Sequence, residues 1–295
     1  MHAPPTILRA TLATLALFAL SGGALACTVA EASPLASEGR APWLADDDAP
    51  DASVASPDAT AADPALVEPA AAAAPVEAPP APAACPAGMA LVEGDYCPNV
   101  RQDCKRWLED PAKFSYARCA EFEPTSTCVG AKERRRFCVD VDEYTGAGEA
   151  LPAVQTSWTA AKTTCAEQGK RLCTESEWQF ACEGPEAWPY PYGFVRDATK
   201  CNFERADLFE KDGSLRDLRE TADARGGCAS PFGVRNLVGN VDEWVARDTT
   251  WGPYKSALKG GWWLAGRNRC RAATVAHDEY YKDVQTGFRC CAEAS

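Results

Sequence analysis

Fourteen cysteines lie between Cys85 and Cys291, and no other feature narrows the folding options of this chain so far. In a reducing compartment such a density points to metal ligation or redox chemistry; in an oxidising one it points to a cross-linked framework. The N-terminus decides between them. Residues 7–26 carry one positive charge at Arg9, an apolar run to Leu20 and the small-residue close Ala24-Leu25-Ala26, the pattern of a secretory signal spanning 1–26. The run is too short for a comfortable membrane span. An exported protein is therefore expected: periplasmic, cell-surface or extracellular. Cys27 leaves a lipid anchor as the alternative, although Ala24 stands where a bacterial lipobox usually has leucine. Membrane association is expected only in that case. Zinc is disfavoured, because no Cys-x-x-Cys pair occurs and His2 and His277 are the only histidines.

Residues 27–84 are rich in alanine and proline. Between 28 and 84 they hold ten acids and one arginine, so most of the net charge of −12 is concentrated there. A segment this poor in large apolar groups cannot bury enough surface to fold, and it reads as an acidic, disordered linker. Nucleic-acid binding is excluded as an expectation, since Arg134-Arg135-Arg136 is too short for a basic face and reads as a solvated strand entrance.

The remaining stretch, 85–295, is long enough for one core and shows no internal repeat. Met89-Ala-Leu-Val-Glu-Gly94 reads as a first strand, and the cysteine-dense stretch 97–128 has little periodicity. Phe137, Val139 and Val141 then alternate with Cys138, Asp140 and Asp142. That alternation puts the aspartates of the Asp140/Asp142/Glu143 cluster on an outer, solvated face. Two helices follow. Thr156-Ser157 precedes Trp158, Ala161 and Cys165 at helical spacing, with Gly169 as the stop. Thr174-Glu-Ser-Glu177 has the hydroxyl and carboxylate of a capping box ahead of Trp178, Ala181 and Cys182. The charged stretch 204–225 reads as a surface excursion, and short strands are expected near Val245, 256–259 and 287–291.

Several of these segments stand in a recognisable order. They are Met89 to Asp95, Phe137 to Thr145, Gly169-Lys-Arg-Leu-Cys-Thr-Glu-Ser-Glu-Trp178, Tyr190-Pro-Tyr-Gly193, Gly239-Asn-Val-Asp-Glu-Trp244, Gly260-Gly261 and Gly287-Phe-Arg289. Together they resemble the formylglycine-generating (sulfatase-modifying factor) family. The resemblance implies one α+β domain with a C-type-lectin-like topology, low in regular secondary structure and rich in disulfides. It also implies two bridges, Cys165 to Cys290 and Cys182 to Cys270, and leaves the other ten cysteines unassigned. Cys173 departs from the family, which usually has proline after Arg-Leu.

Members of that family oxidise a substrate cysteine with copper(I) held by two cysteines just after a Gly-Gly-Ser turn, soft sulfur being the ligand that selects copper(I). Here Gly260-Gly261 is followed by Trp262-Trp-Leu-Ala-Gly-Arg-Asn-Arg269, which contains no sulfur. Some relatives of this fold are nonheme iron enzymes, but iron needs about two histidines and a carboxylate, and His277 stands alone after residue 85. Neither copper nor iron is therefore expected. Calcium is. By resemblance it would be held by the Asn236 side chain, the Gly239 and Val241 carbonyls and the Glu243 carboxylate, with a second site beginning at Asn202-Phe203. The expected function is a non-catalytic domain binding a peptide, glycan or protein partner through a groove of Trp262, Trp263, Arg267 and Arg269. An exported oxidoreductase or maturation enzyme with an unfamiliar active site is the alternative.

Overall fold

The computed structural model divides into Met1–Ala74 and Pro75–Ser295, and describes residues 83–248, 253–266 and 268–295. The signal segment, Cys27, nearly all of the expected linker, and Arg267 lie outside those residues.

The chain runs β1 (Met89–Tyr96), β2 (Val100–Arg101), β3 (Cys104–Trp107), β4 (Cys119–Phe122), β5 (Thr127–Cys128), β6 (Glu133–Asp140), α1 (Trp158–Glu167), β7 (Arg171–Leu172) and α2 (Glu175–Glu183). After a long irregular stretch come β8 (Asp242–Ala246), β9 (Ser256–Lys259), β10 (Ala273–Thr274), β11 (Thr286–Phe288) and β12 (Cys290–Glu293). One sheet has the order β1-β6-β12-β7 and a second β10-β9-β8-β11; β2-β5 and β3-β4 form two small ladders in the cysteine-dense stretch. Every pairing is antiparallel except β11 with β8.

Period-two patterning sets β1: Val92 and Tyr96 point inward, while Glu93 and Asp95 face outward onto Arg134 and Arg136 of β6. Both helices start where their caps stand. Ser157 Oγ accepts from Ala160 N at 3.2 Å. Thr174 and Glu177 complete a reciprocal capping box.

β12 is the hinge pin of the packing. Neighbouring residues of a strand point to opposite faces, so Cys290 joins Ala161, Leu172, Trp244 and Phe288, while Cys291 joins Val92, Phe137, Val139 and Trp178. Each cysteine is bonded on its own side, Cys290 to Cys165 of α1 and Cys291 to Cys173. Cys182 of α2 is bonded to Cys270. The other bridges are Cys85–Cys138, Cys97–Cys128, Cys104–Cys119 and Cys201–Cys228.

Helix α2 is unusual, because all nine of its residues are buried, three glutamates included. A buried carboxylate must find a cation or take up a proton. Glu177 pairs with Arg171 at 2.6 Å and Glu183 with Arg271 at 2.6 Å, while Glu175 lies between Arg247 at 3.7 Å and Lys259 at 3.8 Å.

Two expectations change here. The stretch 204–225 is not wholly superficial: Leu218 is buried, and Leu208 and Leu215 pack against its cluster. The carboxylates of 140–143 are not simply solvated either: each is engaged, and exposure falls from the half-exposed Asp142 to the buried Glu143. Asp140 takes Lys170 at 2.6 Å and the Cys290 amide at 3.0 Å, Asp142 takes Arg235, and Glu143 is buried. Side-chain alternation fixes a face but says nothing about what later segments lay over it.

Candidate functional site

The twin-glycine corner follows β9. Gly260 and Gly261 have φ of 86° and 71°, and a Cβ on Gly260 would stand 2.5 Å from the Leu237 carbonyl oxygen, so only glycine fits there. Asp242 accepts from the Gly261 amide at 3.0 Å. The hollow beside this corner, bounded by Asp242, Leu258 and Ala272, measures about 30 Å³. That is room for a water or two rather than for a peptide. Behind it, Lys259 is fully buried, 3.4 Å from Gln179 Oε1, and burial pushes its pKa down to about 8.

On the far side of β8 stands a second polar cluster. Arg289 Nη2 and Nε donate to the two oxygens of Glu243, both at 2.7 Å, and Trp178 Nε1 donates to Glu243 Oε2 at 2.8 Å. The remaining Arg289 donors reach the carbonyls of Asp140, Val141 and Arg235. Glu143 accepts from Asn240 Nδ2 at 2.7 Å and from the Val241 amide at 3.2 Å. Burial first, and then the charge of Glu243, pushes Glu143 up to about 8. Sequence reasoning placed Glu243 among the cation ligands and Arg289 in a motif, but missed that the two pair and that Glu143 lies buried beside them.

That cluster bears on the expected calcium ligands. Glu243 has both oxygens committed to Arg289 and Trp178, so it does not fit as a cation ligand here, whereas Asn236 donates through Nδ2 to the Ala222 carbonyl at 3.2 Å, a bond that does not involve its Oδ1. The Asn202 position behaves differently. Its Nδ2 donates to the Leu218 carbonyl at 2.7 Å and to Asn240 Oδ1 at 3.0 Å, which fixes the orientation of the amide. Its Oδ1 is buried with no hydrogen-bond partner. Gly239, with φ of 82°, packs so close that a Cβ would meet the Asn202 carbonyl oxygen at 2.3 Å. An orphaned oxygen of this kind fits a hard cation, whereas Glu243 does not. Among the described residues no cluster of three or more His, Cys, Asp or Glu side chains is poised for a metal.

Among the described residues of the expected groove, Trp262 and Trp263 do not come together with Arg269. Trp263 is 1% exposed and packs against Leu218 and Val241, with Trp262 at its edge. It walls a hollow of about 180 Å³ together with Leu215 and Arg219. Arg269 belongs to a different hollow of about 290 Å³, where it meets Arg118, Arg196, Tyr190, Trp107 and Tyr116. The irregular chain after Gly261 turns Trp263 inward and leaves Trp262 and Arg269 half-buried, with Trp263 and Arg269 lining different hollows. His277 is half-buried, its ring stacked 3.7 Å from that of Tyr281.

The domain model described as "Sulfatase-modifying factor enzyme 1-like domain" matches residues 112–294. Over 158 residues the chain is 29% identical to the inactive C-alpha-formylglycine-generating enzyme 2 of Bos taurus, covering 49% of this chain and 51% of that protein. Over 168 residues it is 28% identical to the formylglycine-generating enzyme of Thermomonospora curvata, covering 48% and 55% respectively. The chain thus spans about half the length of these curated relatives. Among solved structures, the crystal structure of CarF aligns with a TM-score of 0.50 at 16% identity, over 71% of this chain and 99% of that one. Fold class is as expected: α+β, C-type-lectin-like, low in helix and disulfide-rich.

Proposed function

Because the chain belongs to the family of sulfatase-modifying factor enzyme 1-like domains, we propose that it is an exported, non-catalytic member that binds a peptide, glycan or protein partner. One observation carries this reading: all fourteen cysteines from Cys85 to Cys291 are paired in seven disulfides, so no thiolate pair is left to grip copper(I) beside the twin glycines. The small hollow at Asp242 and the inactive relative in Bos taurus agree with it. The Arg269 hollow is the binding face that best fits, because Trp107 and Tyr116 are 44% and 71% exposed beside three guanidinium groups. Exposed aromatics beside arginines are the residue types that anchor partners.

Free-thiol counting and copper(I) titration on the natively exported protein test the first half. The expected outcome is no reactive thiol after residue 84, no stoichiometric copper and no aldehyde formed on a cysteine peptide; turnover of that peptide would restore the enzyme reading. Trp107→Ala, with an unchanged melting curve, is expected to abolish whatever signal the protein gives on a glycan or peptide array.

Calcium belongs to the same proposal, with Asn202 Oδ1 and the Phe203 carbonyl as the ligands that fit. Bound there, it would tie the Leu218 segment to the turn at Gly239. A chelator is expected to lower the melting temperature by a few degrees, and Asn202→Ala to remove that response. An identical melting curve with and without chelator would discard the site.

A further inference from the structure

A separate hollow of about 370 Å³ opens where α1, β7 and the ends of β8 and β9 meet. Its floor is apolar, made by the half-buried Trp158 together with Leu172 and Ala246. Trp158 is held in place by its own Nε1, which donates to the Val245 carbonyl at 3.0 Å. The lining also carries five cations, Lys162, Lys170, Arg171, Arg247 and Lys255, contributed by four different stretches of chain.

Three of those cations have carboxylates beside them. Lys170 pairs with Asp140 at 2.6 Å, Arg171 with Glu177 and Glu293, and Arg247 lies 3.7 Å from Glu175. The other two do not. Lys162 sits over the Trp158 ring at 5.3 Å, and Lys255 engages Glu279 only through its backbone amide. Both side chains are exposed, and neither ammonium has a carboxylate within ion-pair distance among the described residues.

The pocket therefore combines two ammonium groups that form no ion pair among the described residues with apolar surface that water covers poorly. A simple anion has no use for the floor, and a neutral apolar ligand has none for the ammonium groups. The ammonium groups come from two separate elements, α1 and the chain entering β9, and line the same hollow as Trp158. We propose that this hollow binds an acidic peptide segment of a partner, placing one large apolar side chain against Trp158 and carboxylates at Lys162 and Lys255. Both the volume and the mixture of apolar lining with a few charged groups lie within the range of ordinary ligand sites, and charge complementarity selects the partner. The site is independent of the Arg269 hollow, and either proposal can fail alone.

The test is fluorescence anisotropy of a labelled peptide, Asp-Asp-Leu-Phe-Asp-Asp, titrated with the full exported chain. Saturable binding that weakens as salt is raised is expected. Lys162→Glu combined with Lys255→Glu should weaken it about tenfold or more, since two attractions become repulsions. Ala166→Glu, an exposed helix position on the pocket wall, should do the same without touching any lysine. The charge-matched control Lys132→Glu, exposed and absent from the pocket lining, should change nothing. All three variants alter exposed side chains, and their melting curves should match the parent protein's. Equal affinity in the reversed variants overturns the proposal. So does equal binding of the neutral peptide Asn-Asn-Leu-Phe-Asn-Asn, and so does capture by phosphatidylglycerol vesicles with the peptide left free.

Discussion

The stretch 97–128 and the centre of the domain use disulfides in opposite ways. In the first, Cys97–Cys128 and Cys104–Cys119 span 31 and 15 residues and hold four short strands around a cluster as small as Cys119, Phe122 and Tyr190. In the second, Cys165–Cys290, Cys173–Cys291 and Cys182–Cys270 span 125, 118 and 88 residues and lie inside fully buried cores. The short bridges substitute for packing that the segment lacks. The long ones join elements that already pack well, and their effect is to limit how far the unfolded chain can spread. Cross-link density alone would have made the two regions look alike.

The largest effect is expected at the centre. Replacing Cys165 and Cys290 together by alanine should cost about 4–5 kcal/mol in the chain-entropy view, and the whole domain should melt earlier in one transition. The matching double replacement of Cys104 and Cys119 should cost about 3 kcal/mol at most. Its signature should be local, with faster hydrogen exchange at 104–122 and little change in the exchange of α2. If both pairs shifted the same global transition equally, the distinction between the regions would collapse.

Arg289→Met asks how far the centre depends on charge rather than on sulfur. It leaves Glu243 buried without its cation, and should cost about 3–5 kcal/mol by chemical denaturation with every disulfide intact. A loss below 1 kcal/mol would mean that the bridges dominate there.

The smallest expected effect is a slope. Glu143 is raised from the usual carboxylate range to about 8, so the folded chain holds a proton that the unfolded chain releases. Its contribution to stability is full below the ordinary carboxylate range and is lost as pH rises toward 8. Denaturation curves across that window should show stability declining with pH, and Glu143→Gln should flatten the decline.

Local signals were legible in the sequence. The capping box at Thr174 and Glu177 and the stop at Gly169 involve residues three or four apart, and both helices form where those signals place them. Burial was not legible. Nothing near α2 announces that Glu175, Glu177 and Glu183 lie inside, because two of their partners, Lys259 and Arg271, come from far downstream. The same limit explains the groove: Trp262 and Trp263 sit on irregular chain, where no period links one residue's direction to that of the next. Cys173 was visible as a departure, but its partner was not. Cys290 and Cys291 look interchangeable until a strand gives them opposite sides.

That adjacent pair has a consequence for biogenesis. The clamps at 165, 173 and 182 cannot close until 270–291 have been synthesised, so an emerging chain must wait with its earlier thiols exposed to mispairing. An oxidising folding compartment equipped to reshuffle early bonds is thus a working requirement of this architecture, and its yield in such a host should depend on isomerase supply as much as on the stability of the finished fold.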